Sequence, residues 1–104
     1  MNNKKKVMIC QPMRGLTDDE ILGKRQFAIE LLTAKGYEVI DTFFKDNFDL
    51  SNVKDPAIFY LSKSIEAMST CDAAYFCEGW EYARGCLIEH EIAEQYGLEI
   101  IYEV

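Results

Sequence analysis

Twice in this chain a helical stretch ends on a glycine and a short apolar run follows at once. The two places are Lys35-Gly36-Tyr37-Glu38-Val39 and Tyr96-Gly97-Leu98-Glu99-Ile100. A glycine just past a helix supplies the left-handed residue that closes it. The run after it is too short for a helix and is rich in branched and aromatic residues, so it reads as a strand. The same turn used twice imposes an alternation of helix and strand.

The rest of the chain extends that alternation. Lys6-Val7-Met8-Ile9-Cys10 is an apolar run stopped by Gln11-Pro12 and predicts the first strand. Thr17-Asp18-Asp19-Glu20 is a capping box, with a helix expected from there to about Lys35. Tyr37 to Asp41 is the second strand. Asp55-Pro56 is a cap followed by a proline at the first helical position, and the second helix runs to about Thr70. Ala73 to Cys77 is the third strand, Arg84 to Tyr96 the third helix and Leu98 to Tyr102 the fourth strand. The order βαβαβαβ predicts a flavodoxin-like α/β sandwich with a four-stranded parallel sheet in the order 2-1-3-4. The chain has 104 residues, which fits one domain over residues 1–104.

Composition excludes several functions. The formal charge is -7, so duplex DNA and long RNA are not expected partners, because their affinity comes mainly from Lys and Arg. Lys4-Lys5-Lys6 is a solvated start to the first strand. None of the four cysteines, Cys10, Cys71, Cys77 and Cys86, form a C-x-x-C pair, so free thiols in a reducing cytoplasm are expected. No apolar run has the length of a membrane span, and no signal-peptide pattern opens the chain. Neither a metal site nor a cofactor is expected. There is no second histidine for a cluster, and no G-x-G-x-x-G or Walker pattern.

In open α/β sheets, ligands bind beyond the carboxyl ends of the strands where the order reverses. For the order 2-1-3-4 that point lies between strands 1 and 3. Two loops meet there: Gln11-Pro12-Met13-Arg14-Gly15 and Glu78 to Gly85. Arg14 is either a surface charge or a contact for a phosphate or a ring face. Gly15 and Gly85 are turn residues or parts of a phosphate cradle. Trp80 is a partly buried anchor or a stacking platform, with Glu81 and Tyr82 beside it. Glu89 sits on the stripe Cys86–Glu89–Ala93, at the margin of an apolar face made by Leu87, Ile88, Ile92 and Tyr96. His90 follows it and reads as an exposed helix histidine. The Phe43–Phe48 loop, with aromatics between acids, is a candidate interface or lid.

These residues resemble a family. The segment Cys71-Asp72-Ala73, then Gly79-Trp80-Glu81, Gly85, Glu89, Ala93 and Gly97, together with Pro12-Met13 and Gly15, is similar to the nucleoside 2-deoxyribosyltransferase-like superfamily. The likeness is greatest to its short bacterial and phage branch of unassigned function, and it spans nearly the whole chain. The resemblance implies a cleft for a nucleoside or nucleotide. It also implies Glu89 as a nucleophile on the anomeric carbon, giving a glycosyl–enzyme ester that a base or water resolves. Substrate contacts are implied for Gln11, Pro12, Met13, Arg14, Gly15, Asp72, Gly79, Trp80, Glu81, Tyr82 and Gly85, and sites are often completed across a homo-oligomer interface.

The chain departs from that pattern in several places. Ser64 stands where the enzymes carry an aspartate, eight residues before Asp72. Cys10 replaces a glycine and Arg14 a threonine, and Tyr82 and Ala83 replace a basic residue and a serine. Glu66 lies on another side of its helix from Ser64. Two expectations follow: an N-glycosidase or deoxyribosyltransferase acting through Glu89, or a binding module that holds an intact nucleotide.

Overall fold

The computed structural model describes residues 4–43 and 48–103. In order, the chain forms β1 (Lys6–Cys10), α1 (Asp18–Ala34), β2 (Glu38–Ile40), α2 (Pro56–Met68), β3 (Ala73–Phe76), a single 3-10 turn (Trp80–Tyr82), α3 (Arg84–Gln95) and β4 (Glu99–Tyr102). All pairings are parallel and the sheet order is β2-β1-β3-β4, the flavodoxin-like arrangement. Val7 pairs with Val39 on one side and with Ala73 on the other, and Ala73 pairs with Glu99.

The central strands are buried on both faces, so they read as continuous apolar runs rather than alternating ones. Val7 and Ile9 of β1 and Ala73 and Tyr75 of β3 pack on Ala28 and Leu32 of α1. The alternate residues Met8, Cys10, Ala74 and Phe76 pack on Met68 of α2 and on Cys86 and Ala93 of α3. The chain moves outward from β1 to β2, then crosses back to β3. Right-handed connections therefore put α1 on one face and α2 and α3 on the other.

Local chemistry sets the ends of the elements. Thr17 Oγ1 accepts from the Glu20 amide at 3.2 Å, and Glu20 Oε1 accepts from the Thr17 amide at 3.2 Å, completing the capping box. At the far end Gly36 has φ 92°, and the Tyr37 amide donates back to the Leu32 carbonyl at 3.1 Å. Gly97 repeats this after α3, with the Leu98 amide on the Ala93 carbonyl at 3.0 Å. Asp55 accepts from the Ile58 amide at 3.2 Å, and Pro56 occupies the first turn of α2.

β1 has the expected bounds, β2 is shorter than expected by two residues, β3 and β4 by one each, and α2 stops at Met68. There Ser69 and Thr70 turn their hydroxyls onto the carbonyls of Glu66 and Ala67, which competes with further helix. The 3-10 turn at Trp80–Tyr82 was not expected. Part of the Phe43–Phe48 loop lies outside the described residues. Phe48 itself packs edge-on against Phe59, ring centroids 5.3 Å apart. No helix among the described residues is long and apolar enough to cross a membrane.

Candidate functional site at the carboxyl ends of the central strands

The two loops expected to meet at the switch point do meet. The Cys77 amide donates to the Cys10 carbonyl at 3.0 Å, carrying the β1–β3 pairing to the mouths of both loops. A Cβ on Gly79 would lie 3.7 Å from Cγ of Pro12. Gly79 has φ 89°, a conformation that costs little only without a side chain. Gln11 is buried, and its Nε2 donates to the Ile21 carbonyl at 2.7 Å, tying the β1 tip to α1. Met13, Arg14 and Gly15 stand exposed on a turn closed by the Leu16 amide on the Met13 carbonyl at 3.2 Å.

Glu89 is the buried carboxylate of this region, 7% exposed. The face that α3 presents to the sheet is Cys86, Glu89 and Ala93. The apolar face expected from Leu87, Ile88 and Tyr96 is instead the outer one: these side chains are exposed. The reason is steric. The helix lies against Phe76 and Cys10, so small residues take the inward positions and the larger aliphatics go to the flank and rim.

Burial pushes the Glu89 carboxyl up to about 7, while hydrogen bonds with Cys10 and Ser64 and the Arg25 charge pull it partly back. Ser64 thus reaches Glu89 from α2. The approach of α2 to the start of α3 is close, since a Cβ on Gly85 would lie 3.9 Å from a Leu61 methyl. The Cys10 thiol is raised well above its ordinary value by burial and then by the Glu89 charge. Cys86 is raised by the same causes to about 12. Both thiols therefore stay protonated at neutral pH, and Cys10 serves Glu89 as a weak S–H donor.

The other residues of the Glu78–Gly85 loop divide. His90 is not an exposed helix histidine: its ring stacks on Trp80 with centroids 4.1 Å apart and 17° between planes. Its Nε2 lies 2.6 Å from the Tyr102 hydroxyl, and its Nδ1 lies 3.5 Å from Glu94. Trp80 is an anchor in a stack with His90 and Tyr102, against the edge of Phe76. Tyr82 is 92% exposed and Glu81 is exposed as well. An open cleft of about 440 Å³ is lined by Glu78, Gly79, Trp80, Glu81, Tyr102 and Glu103. It lies toward β4, and Glu89 is not among its walls.

Asp72 is at the other end of the sheet. It precedes β3, its Oδ2 accepts from the Lys6 amide at 2.8 Å, and its carbonyl accepts from the Glu99 amide at 3.0 Å. It joins the entering ends of three strands and is far from the loops that form the site. A residue preceding a parallel strand falls on the amino edge, opposite the ligand edge, so its expected place among the substrate contacts is corrected.

Arg25 was not singled out from the sequence. It is 3% exposed, on the α1 stripe Ile21–Arg25–Ala28–Leu32, a spacing that could have found it. Nη2 donates to Thr42 Oγ1 at 3.4 Å, Nη1 lies 3.9 Å from Asp41, and the Phe43 ring lies 5.9 Å from Cζ. Thr42 in turn donates to the Ile9 carbonyl at 3.3 Å. Burial lowers the Arg25 pKa against the pull of Asp41, yet a guanidinium remains charged. Among the described residues no group of three His, Cys, Asp or Glu could hold a metal ion, and all four cysteines are free.

Neither a curated protein nor a solved structure matches the chain. A family does match, over residues 5–102, and it takes in both loops, Arg25, Ser64 and Glu89. The chain belongs to this family, which is described as a domain of unknown function, DUF4406.

Proposed function

We propose that the protein cleaves or transfers the N-glycosidic bond of a nucleoside or nucleotide, with Glu89 as the nucleophile. The observation that carries this reading is a carboxylate 7% exposed, raised to about 7, at the carboxyl ends of parallel strands. A weakly solvated carboxylate is a stronger nucleophile than one in water. One Glu89 oxygen forms a bond to the anomeric carbon as the carbon–nitrogen bond breaks. The electron pair leaves with the base, which takes a proton from solvent. Water, or a second base, then displaces the Glu89 ester and restores the carboxylate. The resemblance to nucleoside 2-deoxyribosyltransferases supports the same assignment.

The test is incubation with a panel of nucleosides and 5′-monophosphates, reading released base and a sugar adduct on Glu89 by mass. Base release that disappears in Glu89→Ala supports the reading; equal backgrounds from both proteins refute it. A second reading, a module that holds an intact nucleotide, is favoured by Ser64, since a hydroxyl rather than a second carboxylate faces Glu89. Calorimetry that gives tight binding without product selects it. For either reading we propose a cytoplasmic location and a homo-oligomeric state. The unpaired thiols support the first, and Leu87 and Ile88 exposed on α3 support the second.

A further inference from the structure

Three buried polar side-chain atoms without a hydrogen-bond partner among the described residues lie in one region: Gln11 Oε1, Arg25 Nε and Arg25 Nη1. Buried polar groups are almost always paired, so a group of unpaired ones calls for a partner such as water or an ion. Arg25 follows Ile21 by one helical turn on the inward stripe of α1, and Gln11 is anchored to the Ile21 carbonyl at 2.7 Å. A helical side chain leans toward the helix N-terminus, which brings the guanidinium back over the Ile21 turn. The two orphaned groups therefore share the α1 side of the β1 tip.

The guanidinium is fixed at one corner by Thr42 and faced by the Phe43 ring. Its remaining donors are not matched. Asp41 supplies a charge at 3.9 Å, beyond hydrogen-bond distance, from a side chain that is 79% exposed. Asp41 thus occupies the outer side of a site whose inner donors it does not satisfy.

We propose that Arg25 and Gln11 bind the phosphate group of a small phosphomonoester at the tip of β1. The match is chemical. Nη1 has N–H donors for an anionic oxygen, and Nε has one more on the other edge of the guanidinium. Gln11 Oε1 needs a donor, and a phosphomonoester near its second pKa of about 6 carries an O–H beside its acceptor oxygens. A carboxylate has acceptors only, and so does sulfate. The ligand displaces the Asp41 carboxylate from the Arg25 charge. This inference rests on the reading of the β1 tip as a ligand cleft and names the anionic end of that ligand.

The experiment is calorimetry and thermal-shift titration of the whole chain with inorganic phosphate, ribose 5-phosphate, sulfate and acetate. Phosphate and ribose 5-phosphate bind and raise the melting temperature, while sulfate and acetate do so more weakly. Arg25→Lys, which loses the planar set of guanidinium donors, weakens phosphate binding about tenfold or more. Asp41→Asn lies on an exposed residue and keeps the fold, and it tightens phosphate binding severalfold by removing the competing charge. The proposal falls if phosphate does not bind the wild type, or if Asp41→Asn binds it no better. Glu89→Gln separates the two claims. Loss of turnover with phosphate binding intact supports both. Glu89-dependent turnover without phosphate binding removes only the anion site. Phosphate binding without any turnover removes only the glycosyl chemistry.

Discussion

Trp80 and His90 stack face to face, 4.1 Å between ring centroids and 17° between planes, so the single tryptophan and the single histidine of the chain report on each other. The pair is held from outside by the Tyr102 hydroxyl at 2.6 Å from Nε2 and by Glu94 at 3.5 Å from Nδ1. It fixes the 3-10 turn onto α3 and so sets how the Glu78–Gly85 loop leaves β3.

The His90 ring covers one face of Trp80. His90→Ala removes that cover and is expected to shift Trp80 emission to longer wavelength, toward that of a solvated indole. An unshifted emission spectrum would show that the stack does not shield the indole.

The Glu89 carboxyl lies at about 7 in the folded protein against 4.5 for the free side chain. The folded state therefore holds this proton more tightly than the unfolded chain does. The resulting stability is fully present below pH 4.5 and is lost as the pH rises through about 7. The loss amounts to roughly 3 kcal/mol. Glu89→Gln, which cannot ionise, is expected to melt above the wild type at pH 8 and close to it at pH 4. Chemical denaturation of both proteins at the two pH values measures the difference. Catalysis by the ionised carboxylate runs the other way, with activity rising through about pH 7.

Ser64 is expected to tune that titration. Its hydroxyl favours the ionised form of Glu89, so Ser64→Ala moves the carboxyl further up. Ser64→Asp puts a second carboxylate in the same place, and the pair then titrates in two steps, one of them higher still. Ser64→Thr keeps the donor and the wild-type midpoint. Carboxyl NMR of Glu89 reads all three, and three unchanged midpoints would remove Ser64 from the site.

The first turn of α1 carries both the capping box and the Ile21 carbonyl that holds Gln11. Thr17→Ala is expected to lower stability by about 1 kcal/mol. It is also expected to loosen the Gln11 contact. The urea midpoint gives the first effect, and amide exchange at Ile21 and Leu22 gives the second.

The alternation of elements was legible because it rests on local chemistry. The Thr17 cap, the Asp55-Pro56 start and the glycines at 36 and 97 act within a few residues of themselves. The sheet order followed because parallel strands joined by helices have few ways to connect. The meeting of the two loops then followed from the order. Glu89 was legible by its spacing with Cys86 and Ala93, but its surroundings were not.

Those surroundings belong to the tertiary structure. Ser64 is 25 positions before Glu89 along the chain, and Cys10 comes from another strand; only the packing of α2 and α3 on one sheet face brings the three together. His90 could not be read as a stacking partner because Trp80 reaches it through an unexpected 3-10 turn. Arg25 meets Asp41 and the Phe43 ring only in the folded chain, across positions distant in sequence. Asp72 came among the substrate contacts through the family resemblance alone; it precedes β3 and so lies on the amino edge of the sheet. The sequence by itself determined which segments are helix and strand and in what order they lie, through interactions of short range. Which charges are buried, what each one touches and how far burial moves Glu89 were decided by the fold, because desolvation depends on neighbours that are distant in the chain.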